Sequence, residues 1–188
     1  MKELIIVGTG ESWRQYSNPN NIEVWGVNGT LRFHEEGLIK IDKLFFFDKP
    51  EEIVHSDTYE RLNKSNLQLI TTKKYAELPN SEVYPYEEVL HYFGDEAFGN
   101  SVCYMFALAI MQGYDKWYLY GVDMKRPTLP EIGEHKGVIL EAAAWSELVD
   151  DEKPYVTYWY GQARARGVEI INTDYSDLCK PVKYGTAW

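Results

Sequence analysis

The chain has 188 residues, 45% of them hydrophobic and 15% aromatic, with 19 basic against 29 acidic side chains and a formal net charge of −10. A chain of this length can bury a sizeable core as one domain, and its apolar fraction excludes intrinsic disorder. No apolar run approaches the ~20 residues that span a bilayer, and the acidic balance excludes a broad nucleic-acid surface, because phosphate backbones are held mainly by Lys and Arg.

In chain order, the start MKELIIVGTGES carries an apolar run too short for a signal peptide, so the expectation is a cytoplasmic chain. Residues 4–7 are apolar and β-branched and end at Gly8, which reads as a buried strand. Residues 22–27 and 44–47 read the same way, ending in Asn28-Gly29 and in Asp48-Lys49-Pro50, and residues 67–71 are a fourth strand. Between the third and fourth strands, residues 51–64 are charged and loosely periodic, as on a surface helix. Gly99-Asn100-Ser101 then opens VCYMFALAIMQG. Asn100 or Ser101 suits an N-cap and Gly113 a helix C′ position, and residues 102–111 are apolar all round, so this helix has no face for solvent. Residues 117–120 form a strand ending in Gly121-Val122-Asp123.

Residues 125–150, with Pro127 and Pro130 and an alanine-rich stretch near 140–148, read as an insertion or lid. A last helix over about 154–166 opens after Asp150-Asp151-Glu152 with a proline and closes on Arg164, Arg166 and Gly167, as the helix dipole favours. Residues 168–171 are the final strand. Neither repeats nor low-complexity linkers divide the chain, so residues 1–188 read as one domain. Short apolar strands alternating with helices imply a single-domain, Rossmann-like α/β fold, with a mostly parallel sheet covered by helices on both faces. Ligands of such sheets bind at the carboxyl ends of the strands, which selects four loops: 8–12, 28–30, 99–101 and 121–123.

The loop Gly8-Thr9-Gly10-Glu11-Ser12 lets backbone approach a phosphate at a helix N-terminus, or it is a tight strand-to-helix turn. It is not the dinucleotide fingerprint, whose third glycine is Trp13 here, and it lacks the Gly-Lys-Ser/Thr of a P-loop. Asn28, in WGVNGT, can reach a ligand over the sheet or form an ordinary Asn-Gly turn. Gly99, Asn100 and Ser101 can hold a phosphate or ribose, or simply cap their helix. Asp123 can hold a hydroxyl or a metal ion, or cap a turn. Lys125 and Arg126 follow it and could neutralise a phosphate. Of the histidines His34, His55, His91 and His135, none has metal-ligand spacing; His135, in GEHKG, could be carried as a general base on a mobile segment. Two cysteines, Cys103 and Cys179, form neither a disulfide framework nor a metal set. Among the aromatics, Trp13, Trp25 and Tyr120 stand near strand ends, where a ring could stack on a base.

Together, GTGES, WGVNGT and GNSVCYMFALAIMQGYDKWYLYGVDM resemble a bacterial sialyltransferase family that uses a CMP-sugar donor, and the related motility-accessory and pterin-pyrophosphokinase-like proteins. That family has a Gly-x-Gly-Pro-Ser loop, a strand-end Asn, a Thr-Ser-Gly segment opening a buried helix, and a strand ending Gly-Ile-Asp. The segment TYWYGQARARGVEI extends the resemblance to a group of tailed-phage proteins. The resemblance implies nucleotide contacts from Gly8, Gly10 and Ser12, phosphate contact from Asn28, and ribose or phosphate contacts from Asn100 and Ser101; Thr9, Gly99, Gly121 and Lys125, in or beside the same loops, complete the candidate nucleotide-binding set. It departs at Glu11, where the family has proline, and at Lys125, where it has a phosphate-binding tyrosine. Asp150 or Asp151 stands where it has its catalytic histidine.

The leading expectation is a protein that binds a nucleotide or nucleotide-sugar of the CMP type, acting as a glycosyltransferase if it is catalytic. Asp123, His135, Asp150 and Asp151 are the candidate bases. No resident cofactor is required; magnesium is allowed but not demanded, because no Asp-x-Asp pair ends a strand. The alternatives are a non-catalytic phage protein that keeps the pocket to bind a nucleotide or host partner, and a pyrophosphokinase-like phosphotransferase. No nucleic-acid or membrane partner is expected, and a homodimer is compatible with an acidic, aromatic-rich chain of this kind.

Overall fold

Burial on both faces of each short apolar run shapes the molecule. The computed structural model describes residues 1–48, 57–94, 96–125 and 142–179, with backbone alone over 142–148. Its elements are β1 (Glu3–Val7), β2 (Glu23–Val27), α1 (Leu31–Glu35), β3 (Lys43–Phe46), α2 (Thr58–Lys64), β4 (Gln68–Thr71), β5 (Glu82–Val83), α3 (Tyr86–Phe93), α4 (Ser101–Met111), β6 (Lys116–Tyr120), α5 (Ala142–Ala165) and β7 (Glu169–Asn172). Among the described residues the seven strands form one sheet in the order β5-β4-β3-β2-β1-β6-β7, and every pairing is parallel. The expected α/β architecture is therefore present, with a wholly rather than mostly parallel sheet.

Strand alternation divides the core in two. Leu4 and Ile6 of β1 join Trp25, Phe45, Trp117 and Leu119 under α3, α4 and α5, while Ile5 and Val7 join Val24, Leu44 and Phe46 under α1 and α2. The apolar helix is buried as its composition demands: Val102, Cys103 and Met105 through Ile110 are all in the core. Asn100 caps it, and Gly113 closes it at φ +72°, where a residue with a Cβ would be strained.

Two differences from the sequence expectations have physical reasons. The stretches near 140–148 and 154–166 form the single helix α5, with Pro154 inside it rather than at its start. Pro154 is exposed, and burial of Val156, Trp159 and Ala163 beyond it offsets the cost of a proline inside a helix and holds the helix down. β5 and α3 carried no strong signal, since both residues of β5 are exposed and its run is too short for a pattern. The surface helix expected over 51–64 is present as α2 from Thr58; residues 51–56 lie outside the described residues. Of the expected insertion, 126–141 also lie outside them, and 142–150 begin α5. Among the described residues no helix is long and apolar enough to cross a membrane.

Candidate functional site

Strand order reverses at β1, which lies between β2 and β6, so the loops leaving the carboxyl ends of β1 and β6 meet at the switch point of the sheet. They interlock. The Gly8 amide donates to Tyr120 O at 2.8 Å and the Gly10 amide to Gly121 O at 2.9 Å. A Cβ on Gly8 would run into the Gly121 carbonyl, one on Gly121 into the Gly8 carbonyl, and one on Gly10 would stand 2.5 Å from Asp123 Oδ2. These glycines are thus required by the contact of two backbones, and the amides of Gly8 and Gly10 point sideways into the neighbouring loop.

Ser12 and Asp123 fasten the same contact. The Ser12 amide donates to Asp123 Oδ2 at 2.9 Å, its hydroxyl donates to Oδ1, and the Gly121 amide donates to the Ser12 Oγ at 2.7 Å. Both side chains are buried, Ser12 at 2% exposure and Asp123 at 5%. Burial pushes the Asp123 carboxyl above its ordinary range, opposed by the bonds from Ser12 and by the charge of Lys125, with Glu11 adding to the rise. From beyond β7, the Asp177 amide donates to Asp123 O at 2.8 Å and the Ser176 hydroxyl to Val122 O at 3.1 Å. Lys125 lies over the Tyr175 ring, 3.9 Å from its centroid.

Next along the edge, Gly29 lets the loop after β2 approach the first loop: a Cβ there would stand 2.7 Å from Thr9 Cγ2. Asn28 turns its amide to Asp48 Oδ2 at 2.6 Å and accepts from the Gly29 amide at 2.9 Å. Asp48 stands just beyond the end of β3, and Asn28 directly follows β2. The sequence shows Asp48 only as the polar residue after an apolar strand, and the signal for its role was that polar residue closing the strand beside β2.

The third cluster forms where α5 lies across the start of α4. Asn100 Oδ1 accepts from the Cys103 amide at 3.2 Å, which is helix capping, and its Nδ2 donates to Glu152 Oε2 at 2.9 Å. Gly99 admits the Tyr155 ring, whose Cγ would lie 2.8 Å from a Cβ at that position, and the Trp159 indole donates to Ala97 O at 2.7 Å. Glu152 was missed because Asp150-Asp151 was read as a helix start. Spacing of 152, 156 and 159 on one helical face was the available signal. Burial raises its carboxyl above the ordinary range, against the Asn100 bond. Ser101 is half-buried at the head of α4, and Asp150 and Asp151 are exposed on α5. His135 and Arg126 lie outside the described residues.

The strand-end aromatics serve the core more than the expectation allowed. Trp25 is 0% exposed, wedged between Phe45 and Tyr114 at 5.2 and 5.3 Å, and no base can stack on it; the apolar β2 run carries it into the sheet interior. Trp13 stacks on Phe33 at 4.2 Å, and Tyr120 meets Tyr16 edge-on at 5.7 Å. A different set of rings flanks the start of α4: Tyr104 stacks on Phe98 at 4.4 Å, and Phe98 on Trp159 at 5.1 Å.

The carboxyl edge thus joins Gly8, Gly10, Ser12, Gly121 and Asp123 in one knot, Thr9, Asn28 and Asp48 beside it, and Gly99, Asn100, Ser101 and Glu152 at the head of α4. Among the described residues no three His, Cys, Asp or Glu side chains stand close enough to hold a metal ion. No protein-family model and no curated protein matches the chain. Solved structures do. The sialyltransferase CstII from Campylobacter jejuni in complex with the substrate analogue CMP-3FNeuAc is 18% identical, with a TM-score of 0.53 over 92% of this chain and 80% of that one. The same enzyme in complex with cytidine-5'-monophosphate is 16% identical, with a TM-score of 0.50 over 96% and 86%. At such identities the likeness is one of architecture: the chain has the fold of these sialyltransferase structures across nearly its whole length.

Proposed function

We propose that the chain binds a CMP-type nucleotide or nucleotide-sugar at its carboxyl edge and transfers the sugar to a hydroxyl acceptor. What carries this reading is the nearly full-length likeness of its fold to structures holding CMP and a CMP-sugar analogue, together with polar strand-end groups at the switch point of the sheet. In it, Asn28 and Lys125 face the phosphate, Thr9 lines the pocket between them, and Asn100 and Ser101 hold the ribose at the N-terminus of α4. Gly8, Gly10, Ser12 and Gly121 act through the shape of their interlocked loops, and Gly99 by admitting α5. Transfer forms a bond from the acceptor oxygen to the anomeric carbon and breaks the bond from that carbon to the phosphate oxygen. The nucleotide leaves with the electron pair, and its charge is stabilised by Lys125 and the helix amides.

A second reading, a binding module without catalysis, draws on Asp123: the candidate base nearest the β1 loop has both oxygens bonded to Ser12. A thermal-shift panel of CMP, CDP, UDP, GDP and ATP tests what the two share. Ligand at about 100 times its Kd adds about 2.7 kcal/mol, worth about 2–4 °C per kcal/mol for a chain of this size. CMP is expected to give the largest rise in Tm. A flat response to every nucleotide at millimolar concentration would refute nucleotide binding.

A further inference from the structure

We infer that Glu152 is the proton acceptor of this site, its carboxylate oriented toward the acceptor hydroxyl by the side-chain amide of Asn100. The inference rests on the transfer reading above and adds to it a residue that the sequence did not single out.

Position comes first. Glu152 is carried by α5 across the N-terminus of α4, at the carboxyl edge of the sheet, and Asn100 Nδ2 donates to its Oε2 at 2.9 Å. Asn100 is fixed in turn, because its Oδ1 caps α4 through the Cys103 amide. A neutral amide on one oxygen orients a carboxylate without the positive charge that would weaken it as a base, and lone pairs on the other oxygen remain for a hydroxyl proton. Side-chain setting comes second. Tyr155, 43% exposed, leans on Gly99, and half-buried Phe98 stands between Tyr104 and Trp159, so the segment that carries Asn100 is packed with rings, and Glu152 itself is half-buried.

The other carboxylates at the edge are set differently. Asp123 has both oxygens bonded to Ser12. Asp150 and Asp151 are exposed. Asp48 bonds Asn28, the residue proposed to face the phosphate, which would set it beside the leaving group. Among the described residues, Glu152 alone joins a half-buried position with a neutral orienting partner on the α4 side. In the step, the acceptor oxygen attacks the anomeric carbon, its proton passes to Glu152, and the C–O electron pair departs with CMP.

Burial holds the Glu152 carboxyl above its ordinary range, opposed by the Asn100 bond, which makes the ionised carboxylate a stronger base than an exposed one. Three elements meet around it. α4 presents the Cys103 thiol, pushed up to about 11 by burial, with Glu152 contributing. Loop 96–100 carries the exposed Glu96, and α5 itself Asp151, Lys153 and Tyr155.

Glu152→Gln separates catalysis from architecture, because the glutamine carbonyl can still accept from Asn100. The assay is release of CMP from CMP-sialic acid with water as acceptor, alongside CMP affinity by calorimetry. Glu152→Gln should bind CMP as wild type does and turn over at least about 100-fold more slowly. The wild-type rate should rise with pH through an inflection above the ordinary Glu value of about 4.3, and the variant should lack that limb. A variant rate equal to wild type overturns the assignment, as does a loss carried instead by Asp48→Asn. A wild type that binds CMP without releasing it from CMP-sialic acid overturns the assignment and leaves the binding reading standing, whereas a wild type that binds no nucleotide overturns both.

Discussion

At Gly8 two explanations of one residue make opposite forecasts. A glycine kept so that a phosphate can approach should be replaceable by alanine in the empty protein. A glycine kept because the Gly121 carbonyl occupies the space of a Cβ should not. Gly8→Ala is therefore expected to destabilise the ligand-free chain by about 1–3 kcal/mol, as overpacking does, read as a lower urea midpoint at unchanged m-value. Unchanged stability with lost CMP binding would return the glycine to the ligand. The motif was legible in the sequence, but its reason was not: Gly8 and Gly121 are far apart in the chain, and only the β1–β6 pairing brings them together. The same separation hid the Ser12–Asp123 bond, although each residue had been picked out alone.

Among the elements, α5 does most to build the site and was the least correctly read. Its Trp159 is buried, stacks on Phe98 and donates to Ala97 O, so one side chain ties the helix to the segment that opens α4. Trp159→Phe keeps a ring and removes the donor. It should cost about 0.5–1.5 kcal/mol through the lost indole–carbonyl hydrogen bond and should weaken CMP binding by loosening loop 97–100, both measurable by denaturation and calorimetry. Stability and affinity both at the wild-type level would mean that the tie is inert. Strands β1, β2, β3, β4, β6 and β7 were legible because apolar runs bounded by Gly, Asn or Asp have few other readings. α5 was not, because a proline near charged residues signals a helix start more often than a helix interior, and tertiary burial of Val156, Trp159 and Ala163 overrode that local rule.

Over the whole molecule the field is negative, with a formal charge of −10. On the proposed reading, an anionic nucleotide approaching it meets long-range repulsion and short-range help from Lys125 and helix amides. Salt screens the long-range part first, with a Debye length of about 30 Å at 0.01 M falling to about 8 Å at 0.15 M. CMP association, followed by stopped-flow fluorescence of the tryptophans, should therefore quicken between those concentrations; slowing would reveal a positive funnel that the composition does not suggest. The sheet order also dictates a schedule. The strands from β5 across to β1 come from the first 83 residues, so five of the seven are complete while the rest of the chain is still being made. β6 then docks against β1 from far along the sequence, a non-local closure of the slow kind. Until it does, the β1 loop has neither the Tyr120 and Gly121 carbonyls nor Asp123 to hold its shape, and β1 is an open edge. The proposed site therefore forms only once β6 and α5 have been made, so a nascent chain that still lacks them has no place to hold a nucleotide.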